Sequence, residues 1–479
     1  MVLTMNVLLL KPRSGVQSYF APIGLGYLAA SIQQAGHKVR LVDLPAERLS
    51  LNSLNDLIKS FEPDLIGITC MITEYHDAIT LSKLVKNTRP ETPIIVGGPL
   101  PTSSPEIFLR HPSIDALVSC EGEVTIIEIL QRLEKGQDFK GVLGLIYKEG
   151  KKLVHASPRP MIGDLDGLPF PARHLLRMEN YISSFENWFG LYGLRATNMI
   201  SSRGCVYGCI YCDRKATGAH WRGRSAINIV DEIQSLMEKY RINGVVFNDD
   251  MFDINKKRVY SICDEIDRRG LDIIWSYSGS RINHADHDLY SRVRKSGCVS
   301  VGFGIESGNQ NIINLMQRRI NLNHVHSAIS TAKKAGLRTM GYFMLGMIDE
   351  NERTIRETIR FAKSLELDNA GFSRVVPIPG TTLYKMAIAR GLITESDFIK
   401  KDLFGGDVTL TSMSAKQIDN LARQAVWEFF WTRPGRRVPK PIGSLLAGLS
   451  PIMSRIMGSK SNIFLQLNRI RESLHLPLP

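Results

Sequence analysis

Two long stretches of this chain repeat one pattern: a short apolar run, a turn, then a segment whose apolar residues recur three and four positions apart. In residues 5–150 the runs are Val7–Leu10, Lys38–Val42, Leu65–Thr69, Ile94–Gly98 and Ala116–Ser119. Between the first two, Gly24–Ala35 sets Leu25, Leu28, Ala29 and Ile32 on one helical face and stops at Gly36. From about residue 195 the pattern resumes with Asn198–Ser202, Gly244–Asn248, Ile273–Ser278, Val299–Ile305, Thr339–Leu345 and Ala370–Val376. There Ile227–Tyr240 reads as a helix with Ile229, Ile233 and Met237 inward and Asp231, Glu232 and Lys239 outward. Strands separated by helices require parallel sheets with helical crossovers. The expected class is therefore α/β: a flavodoxin-like (Rossmann-type) sheet first, then six βα units of an incomplete (β/α) barrel. Both architectures place ligands at the carboxyl ends of their strands. A chain of 479 residues is also too long for one ordinary core. The segment Asp164–Pro171, with Pro169 and Pro171 two apart, reads as an irregular bridge. The domains expected are 1–150, a linker 151–192, a barrel 193–400 and a helical, basic C-terminal region 401–479.

The loop after the first barrel strand reads Arg203-Gly204-Cys205-Val206-Tyr207-Gly208-Cys209-Ile210-Tyr211-Cys212. Three thiolates are one short of a closed zinc or iron–sulfur site. A cluster held by three cysteines keeps one iron open to a further ligand. The competing reading is structural zinc with a remote fourth ligand from Cys263, Cys298 or His220, but zinc pairs usually repeat as C-x-x-C and no second pair exists. A disulfide framework does not suit 7 cysteines in 479 residues. Other strand ends also carry chemistry. Asn248-Asp249-Asp250 ends the second barrel strand, and its carboxylates suit a metal, an arginine or an ammonium group. Ser278 and Arg281 follow the third strand, and Gly304-Ile305-Glu306-Ser307-Gly308 the fourth. In the first domain the loops Thr69–Thr73, Gly97-Gly98-Pro99 and Glu121-Gly122-Glu123 are small and polar, and glycine admits a close ligand approach.

The cysteine spacing, with an aromatic residue before the last cysteine, resembles the signature of the radical S-adenosylmethionine (SAM) enzymes. The motifs of the first domain (Pro22–Ala30, Gly36–Val39 with Asp43, Pro63–Thr69, Gly97-Gly98-Pro99 and Glu121-Gly122-Glu123) resemble the cobalamin-binding domains fused to such enzymes, and Asp164–Pro171 resembles their junction. The resemblance spans roughly residues 5–385. It implies a [4Fe–4S] cluster on Cys205, Cys209 and Cys212, with SAM on the open iron. It further implies SAM contacts from Asp249 and Asp250, which replace the family's G-G-E element, from Ser278 and Arg281, and from Glu306 at the ribose hydroxyls. Arg318 matches a position that reaches the SAM carboxylate, or else forms a structural salt bridge. Cobalamin contacts fall to Thr69, Gly97, Gly98, Glu121 and Gly122. The D-x-H-x-x-G motif is absent, so no histidine is expected below the cobalt, and His37 and His76 are read as surface or loop histidines. Ile348-Asp349 stands where relatives usually carry Pro-Gly, which puts that turn in doubt, whereas Pro377–Thr381 matches again.

The activity so implied is methylation of an unactivated carbon through a 5′-deoxyadenosyl radical and methylcobalamin. The alternative is radical cyclisation, ring contraction or oxidation without methyl transfer. A non-enzymatic sensor would not need the joint presence of the triad, Asp249 and Glu306. A tRNA methylthiotransferase would want further cluster cysteines upstream, and Cys70 and Cys120 are isolated. No residue stands out as a proton or hydrogen donor, and Tyr207, Tyr277 and Cys298 read as packing residues. The apolar fraction of 43% and charged fraction of 22% suit a soluble globular chain. No signal-peptide pattern or stretch of ~20 apolar residues is found, so a cytoplasmic setting is expected. The net charge is +13, and residues 431–479 carry eight Lys/Arg against Glu472. With the uncharged stretch Pro441–Ser454, that segment suits either peripheral contact with an anionic membrane or a lid over the barrel. Expected partners are a small-molecule or lipid-like substrate and an electron donor of flavodoxin or ferredoxin type, with no nucleic acid.

Overall fold

The computed structural model describes residues 4–14, 20–150, 152–182, 194–395, 397 and 406–431. It divides into two compact units. One comprises Met1–Val206, Cys212–Val245 and Ile378–Thr381; the other comprises Tyr207–Tyr211, Val246–Pro377 and Thr382–Pro479.

The first unit contains a seven-stranded sheet built from β1 (Asn6–Lys11), β2 (Lys38–Asp43), β3 (Leu65–Thr69), β4 (Ile94–Gly97), β5 (Ala116–Val118), β6 (Leu145–Glu149) and β7 (Lys152–His155), in the order β2-β1-β3-β4-β5-β6-β7. The pairings from β2 through β5 are parallel, as the alternation requires; β6 and β7 extend the sheet as an antiparallel hairpin that the sequence pattern did not reveal. In the interior strand β3, Leu65 to Ile68 are buried without alternation, as in a parallel sheet covered on both faces. The helix Ile23–Gln34 buries Leu25, Ala29 and Ile32 as expected, with Leu28 packed at the edge of the same core. His37 is buried rather than on the surface: its Nδ1 lies 3.4 Å from the Met5 amide and 3.8 Å from the Glu134 carboxylate, which draw the ring inward. His76 is exposed.

The remaining strands are β8 (Ala196–Met199), the two-residue pair β9 (Ser202–Arg203) and β10 (Arg222–Gly223), then β11 (Gly244–Phe247), β12 (Ile274–Ser280), β13 (Cys298–Glu306), β14 (Arg338–Leu345) and β15 (Asn369–Arg374). Six of them form one sheet in the order β15-β14-β13-β12-β11-β8, each next to its sequence neighbour, which is the open half-barrel that consecutive βα units produce. Phe247, Phe252, Trp275 and Tyr277 pack ring against ring at centroid distances of 4.6–6.1 Å. Tyr277 is 2% exposed within that cluster and Cys298 is fully buried; burial pushes both groups' pKa values up, as befits packing residues.

The helix Ala226–Tyr240 departs from its sequence reading at one position. Glu232 is 2% exposed, not outward. Arg224 and Arg173 reach its carboxylate at 2.5 and 3.1 Å, so the charge is buried because it is paired on both oxygens. Leu236 takes the inward place expected of Met237, which is only half-buried. The helix Ala415–Trp431 covers the expected Ala422–Trp431. The Pro434–Arg437 break, the Pro441–Ser454 stretch and the basic cluster lie outside the described residues.

Candidate active site

The end of β13 is where the chain brings its predicted residues closest together. The β13–β14 register slips between Gly304 and Glu306, and Glu306 adopts φ 73. A bulge of this kind re-aims a side chain, and a left-handed glutamate is strained enough to suggest a use. The Glu306 carboxyl is buried, which raises its pKa; the Arg318 charge, a Tyr211 hydrogen bond and, more weakly, the Arg281 charge work against that rise. Arg318 lies 3.5 Å from the Glu306 carboxylate and donates to the Gly304 carbonyl through Nη2 at 2.7 Å and Nε at 3.2 Å. Glycine at 304 leaves room for both side chains: a Cβ there would displace the Arg318 guanidinium and the Glu306 carboxylate.

Arg318 also points Nη1 at the Cys209 sulfur, 3.8 Å away, and Arg281 does the same at the same distance. Arg281 is 1% exposed, donates Nη2 to the Arg318 carbonyl, and lays its guanidinium 3.7 Å from the centre of the Tyr207 ring. Tyr207 is held in turn. Its hydroxyl meets His284 Nε2 at 2.9 Å, His284 Nδ1 meets Asp253 at 2.9 Å, and Asp253 accepts from the Ser280 hydroxyl. A tyrosine O–H donating to Nε2 and an Nδ1–H donating to the carboxylate complete that chain. The other predicted residues on this side are placed differently. Asp249 is buried and faces Arg258 at 3.9 Å, Asp250 is exposed, and the Ser278 hydroxyl bonds Tyr342.

In the first unit, Thr69 and Gly97 are cross-strand partners at the carboxyl ends of β3 and β4. Gly98 follows at φ 104, and a Cβ on it would stand 3.1 Å from the Thr69 hydroxyl oxygen and from the Cys70 carbonyl. Glu121, read from sequence as a cobalamin contact beside Gly122, spends both oxygens inside the protein. It accepts from Arg203 at 2.9 Å, Arg222 at 2.8 and 3.0 Å and the Ile162 amide at 2.7 Å. Burial opposes its charge, but Arg222, Arg203 and that amide hold the carboxyl below the usual range. Glu123 binds the other end of the Arg203 guanidinium at 2.6 Å, and Arg203 lies 5.1 Å from the centre of the Tyr27 ring. The arginine two residues before Cys205 is thus clamped by the Glu121-Gly122-Glu123 element. Each motif is legible in the sequence, but nothing local to either shows that they meet. Nor does the sequence assign roles to Asp253 and His284; only their position after β11 and β12 hints at one.

None of the seven cysteines is joined in a disulfide. Among the described residues no group of three or more His, Cys, Asp or Glu is gathered as a single-ion site would need. A four-iron cluster asks for something else, since each cysteine takes a different iron and the sulfurs need not converge on one point. The donor set fits it: three thiols on one short loop, Cys209 buried with two cations at its sulfur.

Residues 14–130 match the B12 binding domain and residues 199–362 the radical SAM superfamily. The chain is 36% identical to an uncharacterized methyltransferase of Pyrococcus horikoshii, PH0819, over 411 residues that cover 85% of this chain and 87% of that protein. It is 27% identical to the cytidylyl-2-hydroxyethylphosphonate methyltransferase of Streptomyces wedmorensis (81% and 82% covered) and 26% identical to the anaerobic magnesium-protoporphyrin IX monomethyl ester cyclase of Rubrivivax gelatinosus (80% and 70%). The fold is that of TsrM from Kitasatospora setae, a radical SAM methyltransferase solved with cobalamin and a [4Fe–4S] cluster, with a TM-score of 0.68 at 19% identity over 82% of this chain and 79% of that one. With both domains and a full-length methyltransferase relative in hand, this chain belongs to the cobalamin-binding radical SAM methyltransferases, whose cofactors are cobalamin, SAM and a [4Fe–4S] cluster.

Proposed function

We infer that this protein methylates an unactivated carbon of a small-molecule substrate. Residues 1–150 would hold cobalamin through Thr69, Gly97, Gly98 and Gly122. Residues 193–400 would hold the cluster on Cys205, Cys209 and Cys212, and SAM near Glu306, Arg318, Asp249 and Asp250. Glu306 supports the reading most: a buried carboxylate on a strained strand end beside Arg318 would accept hydrogen bonds from a ribose diol. Bound there, the cluster supplies an electron to SAM and cobalamin carries the methyl group, so the protein's share is positioning and exclusion of water. The electron would come from a flavodoxin- or ferredoxin-type donor. No helix among the described residues is long and apolar enough to cross a membrane, and the membrane contact proposed for 441–479 rests on that segment's basic sequence alone.

Methyl transfer is favoured over cyclisation because the methyltransferase of Pyrococcus horikoshii is 36% identical and the cyclase of Rubrivivax gelatinosus 26%. The test is anaerobic. The protein is reconstituted with iron, sulfide and cobalamin, given SAM, a strong reductant and candidate substrates, and assayed for 5′-deoxyadenosine and S-adenosylhomocysteine by mass spectrometry. Both products, lost together in Cys205→Ala, are expected. Deoxyadenosine without S-adenosylhomocysteine would replace methyl transfer with another radical reaction.

A further inference from the structure

We propose that Arg281 raises the reduction potential of the cluster held at Cys209, with Arg318 as a weaker, compensated partner. The proposal rests on the reading of the cysteine loop given above and concerns what the protein does to that cluster once it is bound.

Charge accounting singles Arg281 out. Other buried or largely buried arginines are paired: Arg318 faces Glu306, Arg203 faces Glu121 and Glu123, and Arg224 and Arg173 share Glu232. Among the described residues no carboxylate stands within ion-pair distance of Arg281, whose charge reaches Glu306 only from further off. Its contacts are the Tyr207 ring, the Arg318 carbonyl and the Cys209 sulfur, and its Nε has no hydrogen-bond partner. A guanidinium 1% exposed with no carboxylate in direct contact is costly to keep. The sulfur it faces is that of Cys209, and a thiolate-bound cluster there would supply negative charge in direct contact. The side chain cannot readily turn away, because it stacks on a ring that His284, Asp253 and Ser280 hold in place.

The consequence is electrostatic. Reduction adds one electron to the cluster from an external low-potential donor. No bond forms or breaks, and Arg281 stays protonated throughout. A fixed positive charge beside the cluster, in a site poor in water, stabilises the reduced form over the oxidised one, so the potential rises. Arg318 contributes less, because Glu306 offsets much of its charge at 3.5 Å.

The experiment is a redox titration of the reconstituted protein without SAM, with titanium(III) citrate as reductant and the reduced cluster read by electron paramagnetic resonance. Iron and sulfide are quantified for each variant. Arg281→Gln with full iron content is expected to lower the reduced-to-oxidised ratio at a fixed poise at least tenfold, a shift of about 59 mV to more negative potential for one electron. Arg281→Lys, which keeps the charge, is expected to move less. Glu306→Gln, which uncovers the Arg318 charge, is expected to move the potential the other way. Loaded Arg281→Gln titrating with wild type overturns the proposal. If that variant does not retain its cluster, Glu306→Gln decides: an unchanged or lowered potential overturns the proposal. A wild-type protein that takes up no four-iron cluster overturns the reading of the cysteine loop itself.

Discussion

The clamp on Arg203 makes a quantitative prediction. Arg203, Glu121 and Glu123 are 11%, 7% and 6% exposed at their side chains, and Glu123 has Arg203 as its ion-pair partner at 2.6 Å. In Arg203→Met, Glu121 keeps Arg222 and the Ile162 amide, but Glu123 becomes a buried carboxylate without a counter-ion. Removing one partner of a buried pair costs about 3–5 kcal/mol. Glu123 opens the helix Glu123–Glu134, whose N-terminal dipole returns up to about 1 kcal/mol, so about 2–4 kcal/mol is expected. Glu123→Gln should cost less, about 1–2 kcal/mol, because Arg203 keeps Glu121 and the amide oxygen still accepts. The double variant strands no charge. Its loss should therefore fall short of the sum of the singles by about 2 kcal/mol. Urea unfolding of the four proteins, followed by far-ultraviolet circular dichroism, measures this from midpoint shifts at a common slope; with two compact units more than one transition is to be fitted. Losses that add to within about 0.5 kcal/mol would refute the reasoning, because Glu123 would then not depend on Arg203.

Three other substitutions probe the second unit. Gly304→Ala pushes the Arg318 and Glu306 side chains apart, so SAM affinity measured by calorimetry on the loaded protein should fall at least tenfold while the fold survives; unchanged affinity would remove Glu306 from the site. Asp349 stands at φ 68 where relatives usually carry glycine, and its exposed contact with Arg390 at 2.7 Å is worth about 0–1 kcal/mol. Asp349→Gly should therefore unfold within about 0.5 kcal/mol of wild type and Asp349→Val about 2 kcal/mol below it; equal stability of the two would mean the turn relaxes. Burial raises the Glu350 carboxyl to about 7 against the pull of the Met347 and Gly346 amides. A carboxyl raised on folding gives stability that is full below its unfolded value near 4.5 and lost as pH climbs through 7. The loss is about 3 kcal/mol between those limits. Glu350→Gln should flatten the stability–pH curve in that window, and a slope matching wild type would show that another group carries it.

How much of this was legible in the sequence depends on the range of the interaction. The parallel strands were readable because each is a continuous apolar run. The β6–β7 hairpin was not, since Lys148, Glu149 and Lys152 leave no apolar period to follow. Glu232 was assigned outward by its charge alone; nothing local shows that Arg173, 59 positions away, turns in to meet it. The turn at Ile348-Asp349 kept its left-handed residue although the glycine is gone, because a short acid tolerates that conformation better than most side chains do.

The site obeys the same rule. Glu306 and Arg281 could be picked out because they end or follow strands, where ligands belong, and Arg318 because it matches a basic position of the family the chain resembles. That the two arginines converge on one sulfur could not, because 109 and 72 residues separate Arg318 and Arg281 from Cys209. What distinguishes the two arginines is also invisible one residue at a time. Arg318 has a carboxylate in ion-pair contact and Arg281 does not, and only the pairing of the other buried arginines makes that difference stand out. Folding alone gives no reason to bury an unpaired guanidinium, so the position where the charges fail to balance is the one to assign to a bound group. By the same argument Glu121 moves the other way: with each oxygen already held by an arginine, its charge is accounted for within the chain, and its task is to hold the loop that begins at Arg203.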